Sequence, residues 1–201
     1  MQKAKIVKGG VCSAKGFRAA GVEAAIKYAG RKDVALIVAD FPCAAAAVFT
    51  TNKVAAAPVI YDRVIAKGGR LQAILANSGC ANACTGERGL KDAELSALVT
   101  AAELGIDSSL VMIASTGVIG RPLPMDRLLD GMRKAKAKLG RTAQHGLDAE
   151  MAVMTQHSRS VKIHTRWQKL TRLSQISVGN SIAFFHLHFW RLICQGRFHL
   201  N

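Results

Sequence analysis

The stretch Val111-Met-Ile-Ala-Ser-Thr-Gly-Val-Ile-Gly-Arg-Pro-Leu-Pro-Met-Asp126 limits most strongly how this chain folds. Four apolar residues, Val111 to Ala114, predict a short buried strand. Ser115-Thr116-Gly117 then breaks it. Glycine permits a positive φ or a close backbone approach, and the threonine beside it offers a hydroxyl and a backbone N–H. Two donors at the end of a strand suit a developing oxyanion. A plain strand-to-helix turn, with Pro124 in the first helical turn, accounts for the same residues.

The rest of the chain reads around that stretch. Val34 to Ala39 is a continuous apolar run of strand length, Ala44 to Thr50 and Pro58 to Tyr61 are further strand candidates, and Leu71 to Ala76 is a good strand. The last of these runs into Asn77-Ser-Gly-Cys-Ala-Asn-Ala-Cys-Thr-Gly86, a segment of small and amide residues. Such a segment lets a ligand approach the backbone, with Asn77 and Asn82 as neutral hydrogen-bonding groups; an internally bonded polar loop is the alternative. Lys91 to Leu104 predicts a helix with Leu95, Leu98, Val99 and Ala102 on its apolar face and Gly105 as its stop. A second helix is predicted over Pro124 to Leu139, with Leu128, Leu129, Met132 and Ala135 inward and a cationic last turn. A third, short one is predicted over Asp148 to Met154. Strands followed by strand–helix alternation indicate a layered α/β or α+β core.

At 201 residues, half of them apolar, the chain suffices for a real core. The net charge of +15 is unevenly spread: residues 1–155 carry +8 with all 13 acids, whereas residues 156–201 carry +7 with none. In that last part Arg159, Lys162, Arg166, Lys169 and Arg172 recur at three or four residues around Trp167, the pattern of a basic helix for nucleic acid or a membrane surface. The five cysteines lack paired spacing, so neither a disulfide framework nor a zinc set is expected. The first residues lack the apolar run of a signal peptide, and no stretch reaches the ~18 apolar residues of a membrane span. A cytoplasmic protein with no membrane partner and no metal is the expectation.

Ala14-Lys-Gly-Phe17, Val48-Phe-Thr-Thr-Asn52, Ala57-Pro58-Val59, Asn77 to Gly86, Ala114-Ser-Thr-Gly-Val-Ile-Gly120 and Leu123-Pro-Met-Asp126 occur in this order. Together they resemble the bifunctional glutamate N-acetyltransferase/ornithine acetyltransferase family of arginine biosynthesis, over about residues 6–155. The resemblance implies an α/β fold, the family's layered αββα sandwich, here its N-terminal half. It also implies an acyltransferase that moves an acetyl group from N2-acetylornithine to glutamate by a ping-pong route. Acetyl-CoA is a further donor in some members, and no bound cofactor is implied. The family's nucleophile is a threonine freed by self-cleavage of a precursor, whose C-terminal chain partners the N-terminal one in a heterotetramer. Thr116 and Gly117 fall on the family's oxyanion hole. Thr155, after Met154, matches the first threonine of a substrate-binding Met-Thr-Thr-Asp-Thr run.

The match then stops. The chain continues Gln156-His-Ser, with no Lys-Gly-x-Gly-Met segment and no counterpart of the self-cleavage threonine. Residues 1–155 thus read as the N-terminal part of the acetyltransferase, and 156–201 as a non-homologous basic tail whose simplest origin is a shift of reading frame. No turnover is expected of this truncated polypeptide alone. The alternative is a non-catalytic fragment whose tail binds nucleic acid.

Overall fold

The computed structural model describes residues 10–154. Its centre is a four-stranded sheet in the order β1-β2-β3-β4, formed by Phe17–Val22, Val34–Ala44, Arg70–Cys80 and Val111–Val118. β1, β2 and β3 pair antiparallel, whereas β3 and β4 run parallel. A parallel pair needs a crossover connection. Helix α2, Gly86–Leu104, supplies it and ends on Gly105 in the left-handed region at φ 68°. The other helices are α1, Ala57–Ile65, α3, Met125–Ala137, and α4, Ala143–Val153. The α/β expectation holds.

The two faces of the sheet differ in side-chain size. On one, Val22, Val34, Leu36, Val38, Leu75, Val111 and Ile113 pack against Ala97 and Ala101 of α2 and Leu128, Met132 and Ala135 of α3. The other carries Ala19, Ala35 and Ala76, against which Ala149 and Ala152 of α4 pack. Small residues on both sides let α4 lie close to the sheet. At Gly21 the approach leaves no room at all: a Cβ there would stand 1.9 Å from the Asp148 carbonyl oxygen and 2.7 Å from the Ala149 nitrogen. Gly21→Ala is therefore expected to lift α4 from β1 and destabilise the chain by about 2–3 kcal/mol, the range for overpacking a tight contact. A urea denaturation midpoint lowered accordingly checks this; an unchanged midpoint would disprove the contact.

Several elements depart from the sequence-based expectations. Pro58 to Tyr61 lies in helix α1, with proline in the first turn, where its missing N–H costs nothing. Ala45 to Thr50 is irregular, and the strand before it extends to Ala44 instead. The strand at Val111 does not break at Ser115 but continues to Val118. In α2 the buried face is Gly89, Ala93, Ser96, Ala97, Thr100 and Ala101. Leu95 and Leu98 are 44% and 47% exposed, because close packing on the sheet selected the small side chains over the large ones. In α3 the expected Leu128, Met132 and Ala135 are buried. Three of its cations are met by acids: Arg133 and Lys136 both donate to Glu103 of α2, each at 3.0 Å, and Lys134 pairs with Asp130 at 2.7 Å.

Candidate active site

β3 and β4 end together, and their ends carry the two segments singled out in the sequence. Ser78 pairs with Thr116 and Gly79 with Gly117, after which the register slips at Cys80. Such a slip leaves a residue outside the regular ladder and re-aims the backbone. Gly117 has φ +135°, and a Cβ on it would stand 2.3 Å from the Gly79 carbonyl carbon and 2.6 Å from the Cys80 nitrogen. Only glycine fits there. Alternation along β4 buries Ser115 and leaves Thr116 half-exposed on the opposite face, the one that carries α4. The buried Ser115 hydroxyl has no hydrogen-bond partner among the described residues.

The Asn77–Gly86 segment is bonded to itself and to its neighbours. Asn77 Nδ2 donates to the Cys80 carbonyl at 2.9 Å, and Asn82 Nδ2 donates to the Gly89 carbonyl at 2.9 Å. The Thr85 hydroxyl donates to Asn82 Oδ1 at 2.8 Å. Both asparagines are at most 2% exposed, so their amides shape the loop and the start of α2 rather than face a ligand. Asn82 does so at φ +46°, a left-handed conformation that asparagine tolerates. The loop is stitched to the end of β4, since Ala81 N–H donates to the Val118 carbonyl at 2.9 Å and Gly120 N–H to the Ala83 carbonyl at 2.8 Å.

The β1–β2 connection forms a wall over this end of the sheet. Asp33 is buried, and its two carboxylate oxygens accept the N–H groups of Ala24 and Ile26 at 2.7 and 2.6 Å. Burial pushes its carboxyl up, and the two N–H donors pull it back down. Asp33 also accepts the Ser78 N–H on its backbone oxygen at 2.9 Å. Gly79, at φ +106°, admits Ile26 and Lys27 against its α-carbon. From the same connection Arg31 reaches Ser78 Oγ at 3.5 Å and the carbonyl of Met154. Sequence reasoning missed Asp33 and Arg31; the acid directly before an apolar strand is the only local signal they leave.

Thr116 and Gly117 thus lie side by side, as their sequence adjacency requires, at an accessible strand end with a fixed backbone. Thr155 lies outside the described residues, as does the basic segment 156–201. Among the described residues no group of three or more His, Cys, Asp or Glu side chains is placed to hold a metal ion, and no helix is long and apolar enough to cross a membrane.

The ArgJ family profile matches residues 18–181. The arginine biosynthesis bifunctional protein ArgJ of Symbiobacterium thermophilum is 54% identical over 149 residues, covering 73% of this chain and 37% of that protein. The chain therefore spans little over a third of the length of that relative. Two crystal structures share the fold. One is ornithine acetyltransferase of Mycobacterium tuberculosis complexed with ornithine, at TM-score 0.72 and 43% identity over 74% of this chain and 80% of that one. The other is the ArgJ protein of Bacillus halodurans, at TM-score 0.71 and 42% identity over 79% and 83%. With a family match over most of its length and this fold, the chain belongs to the ArgJ family of bifunctional arginine-biosynthesis enzymes.

Proposed function

We propose that this chain supplies the oxyanion-binding part of an acetyl-transfer site acting between N2-acetylornithine and glutamate, with acetyl-CoA as a second acetyl donor. The observation that carries the proposal is the Thr116–Gly117 end of β4. Its backbone is held against Gly79 and Cys80 with no space for a side chain, while Thr116 remains accessible. Donors fixed before reaction stabilise a developing charge without reorganising.

In the proposed reaction the hydroxyl of a self-cleavage threonine attacks the acetyl carbonyl. Its own freed amine takes the proton and returns it to the departing ornithine amine. The tetrahedral oxygen rests on Thr116 and Gly117. The glutamate amine then attacks the acetyl ester left on the threonine, the bond from the threonine oxygen to the acetyl carbon breaks, and the freed amine carries the proton from the glutamate nitrogen back to the threonine oxygen as N-acetylglutamate departs. That nucleophile belongs to the C-terminal chain of the same precursor, and Thr155 contacts substrate. No cofactor takes part, nucleic acid is not a partner, and the cytoplasm is the compartment.

Two results test this. The 201-residue polypeptide alone should transfer no acetyl group from N2-acetylornithine to glutamate, and measurable turnover by it would refute the division of labour. Mixed with a C-terminal chain of the family it should become active, and Thr116→Ala should then lower kcat by about 100-fold with KM little changed, as for loss of one oxyanion donor. An unaltered kcat would remove Thr116 from the site.

A further inference from the structure

Basic residues gather around the end of β3. Lys27 lies over Gly79, since a Cβ on that glycine would stand 3.0 Å from the Lys27 β-carbon. Cys80 Sγ donates to the Arg121 carbonyl at 3.4 Å, which sets Arg121 beside the next residue of the strand. Arg127, in the first turn of α3, donates through Nη1 to the Ala25 carbonyl at 2.7 Å, two residues before Lys27. All three cations are exposed, and among the described residues none of them joins a salt bridge. The acids nearby are turned to other donors. Glu23 accepts the Gly30 N–H at 2.6 Å, and buried Asp33 accepts the N–H groups of Ala24 and Ile26. Asp126 adjoins Arg127 in sequence, and adjacent residues on a helix do not face each other. The N-terminus of α3, which no side chain caps, adds a positive end of its own.

Tyr28 is 45% exposed, and Lys27 Nζ lies 4.8 Å from the centre of its ring. An exposed ring beside unpaired cations suits a nucleotide, with the base stacked on the ring and the phosphates on the cations. Ligand charge points the same way. N2-acetylornithine carries one carboxylate and one ammonium, and glutamate two carboxylates and one ammonium, so neither matches three cations. The position also excludes a small amino acid. Lys27 and Arg127 lie on the α3 side of the strand ends, whereas Thr116 opens on the side that carries α4. A ligand that reaches both has to pass over the strand ends, which the long flexible arm of acetyl-CoA can do.

We propose that Lys27, Arg121 and Arg127, with Tyr28 beside them, form a phosphoanion site that takes the nucleotide end of acetyl-CoA. The use of acetyl-CoA as a donor rests on the acetyl-transfer function proposed above; phosphate binding at this rim does not.

Calorimetric titration of the 201-residue chain with coenzyme A, pantetheine, inorganic tripolyphosphate and glutamate tests the site. Coenzyme A should bind, and pantetheine, which lacks the phosphates, should bind far more weakly. Lys27→Gln and Arg121→Gln alter exposed side chains and should each weaken coenzyme A by about 10-fold, the scale of one charge-assisted hydrogen bond. Tyr28→Leu should weaken coenzyme A and leave tripolyphosphate unchanged. Lys138→Gln removes the same charge at the other end of α3 and should change nothing, which separates a local site from the net charge of +15. Equal losses in Lys138→Gln and the rim variants, or no loss in any of them, overturn the site. Glutamate binding that falls 10-fold in the rim variants while coenzyme A binding holds makes the rim a carboxylate site and overturns the nucleotide assignment. Binding as expected, with no acetyl transfer from acetyl-CoA once a C-terminal chain of the family is added, upholds the site and fails only the donor reading.

Discussion

Gly117→Ala is expected to be among the most damaging single-methyl additions to this chain, destabilising it by about 3–5 kcal/mol. Two costs combine. At φ +135° an L side chain is strained wherever it stands. The added Cβ would also sit 2.3 Å from the Gly79 carbonyl carbon and 2.6 Å from both the Gly79 oxygen and the Cys80 nitrogen. These are backbone atoms of the neighbouring strand, so no side-chain rotation relieves the clash. Either β4 moves away from β3 or the peptide at Gly117 flips, and both open the parallel pair where the proposed oxyanion donors lie. Gly86→Ala separates the two costs, since Gly86 has φ +60° but nothing within 4 Å of the added atom. It should lose only the left-handed penalty, about 1–2 kcal/mol. Equilibrium urea denaturation of both variants gives the comparison. Equal midpoints for the two would mean that the contact across the strands is not as close as described.

The same glycine shows how far the sequence alone reaches. Local reasoning ends the strand at Ala114 and takes Ser115-Thr116-Gly117 as its break. The strand in fact continues to Val118, because Gly79 lies opposite Gly117 and a pair of glycines lets two backbones meet. That fact is non-local and no window of sequence contains it. Asn77 and Asn82 were legible as special but not in their direction. Their amides turn inward to Cys80 and Gly89, contacts set by how the loop closes on α2. The strands at Val34 and Leu71 were legible because continuous apolar runs have few other fates. The buried face of α2 was not, because hydrophobicity ranks leucine above alanine, whereas packing a helix close to a sheet reverses the order. Arg31 and Asp33 carry no pattern of their own. They matter through a strand that pairs beside them and a helix that arrives more than a hundred residues later.

Asp62 is the other residue whose replacement should have a large effect, and here the sign depends on pH. It lies half-buried on α1, and its carboxylate accepts the Ile113 N–H at 3.0 Å, fastening α1 to the outer edge of β4. Burial pushes its carboxyl up from 3.8 to about 7, against which the single N–H bond pulls only weakly. Around it stand Tyr61 on its own helix, itself pushed up to about 12 by burial and by the nearby Asp62 and Glu94 charges. No cation forms a salt bridge with Asp62 among the described residues. An acid whose pKa is higher in the folded chain than in the unfolded one holds its proton longer when folded. Its contribution is therefore most favourable below about pH 4 and is lost as pH rises to about 7, after which it stays constant. A shift from 3.8 to about 7 corresponds to about 4 kcal/mol across that window. Asp62→Asn keeps an oxygen for the Ile113 N–H and removes the charge. It should be more stable than the parent at pH 8 by about 2 kcal/mol, part of the gain being offset by the new buried amide hydrogens. At pH 4 the order should reverse or vanish. Other acids titrate in both proteins alike, so the difference between the two stability curves isolates Asp62. A difference that is the same at pH 4 and pH 8 would show that Asp62 ionises as freely in the folded chain as in the unfolded one. In that case α1 would not seal the edge of β4. Asp62→Ala at pH 4 gives the remaining term, because it leaves the Ile113 N–H without its partner. It should cost about 1–3 kcal/mol there, where charge plays no part.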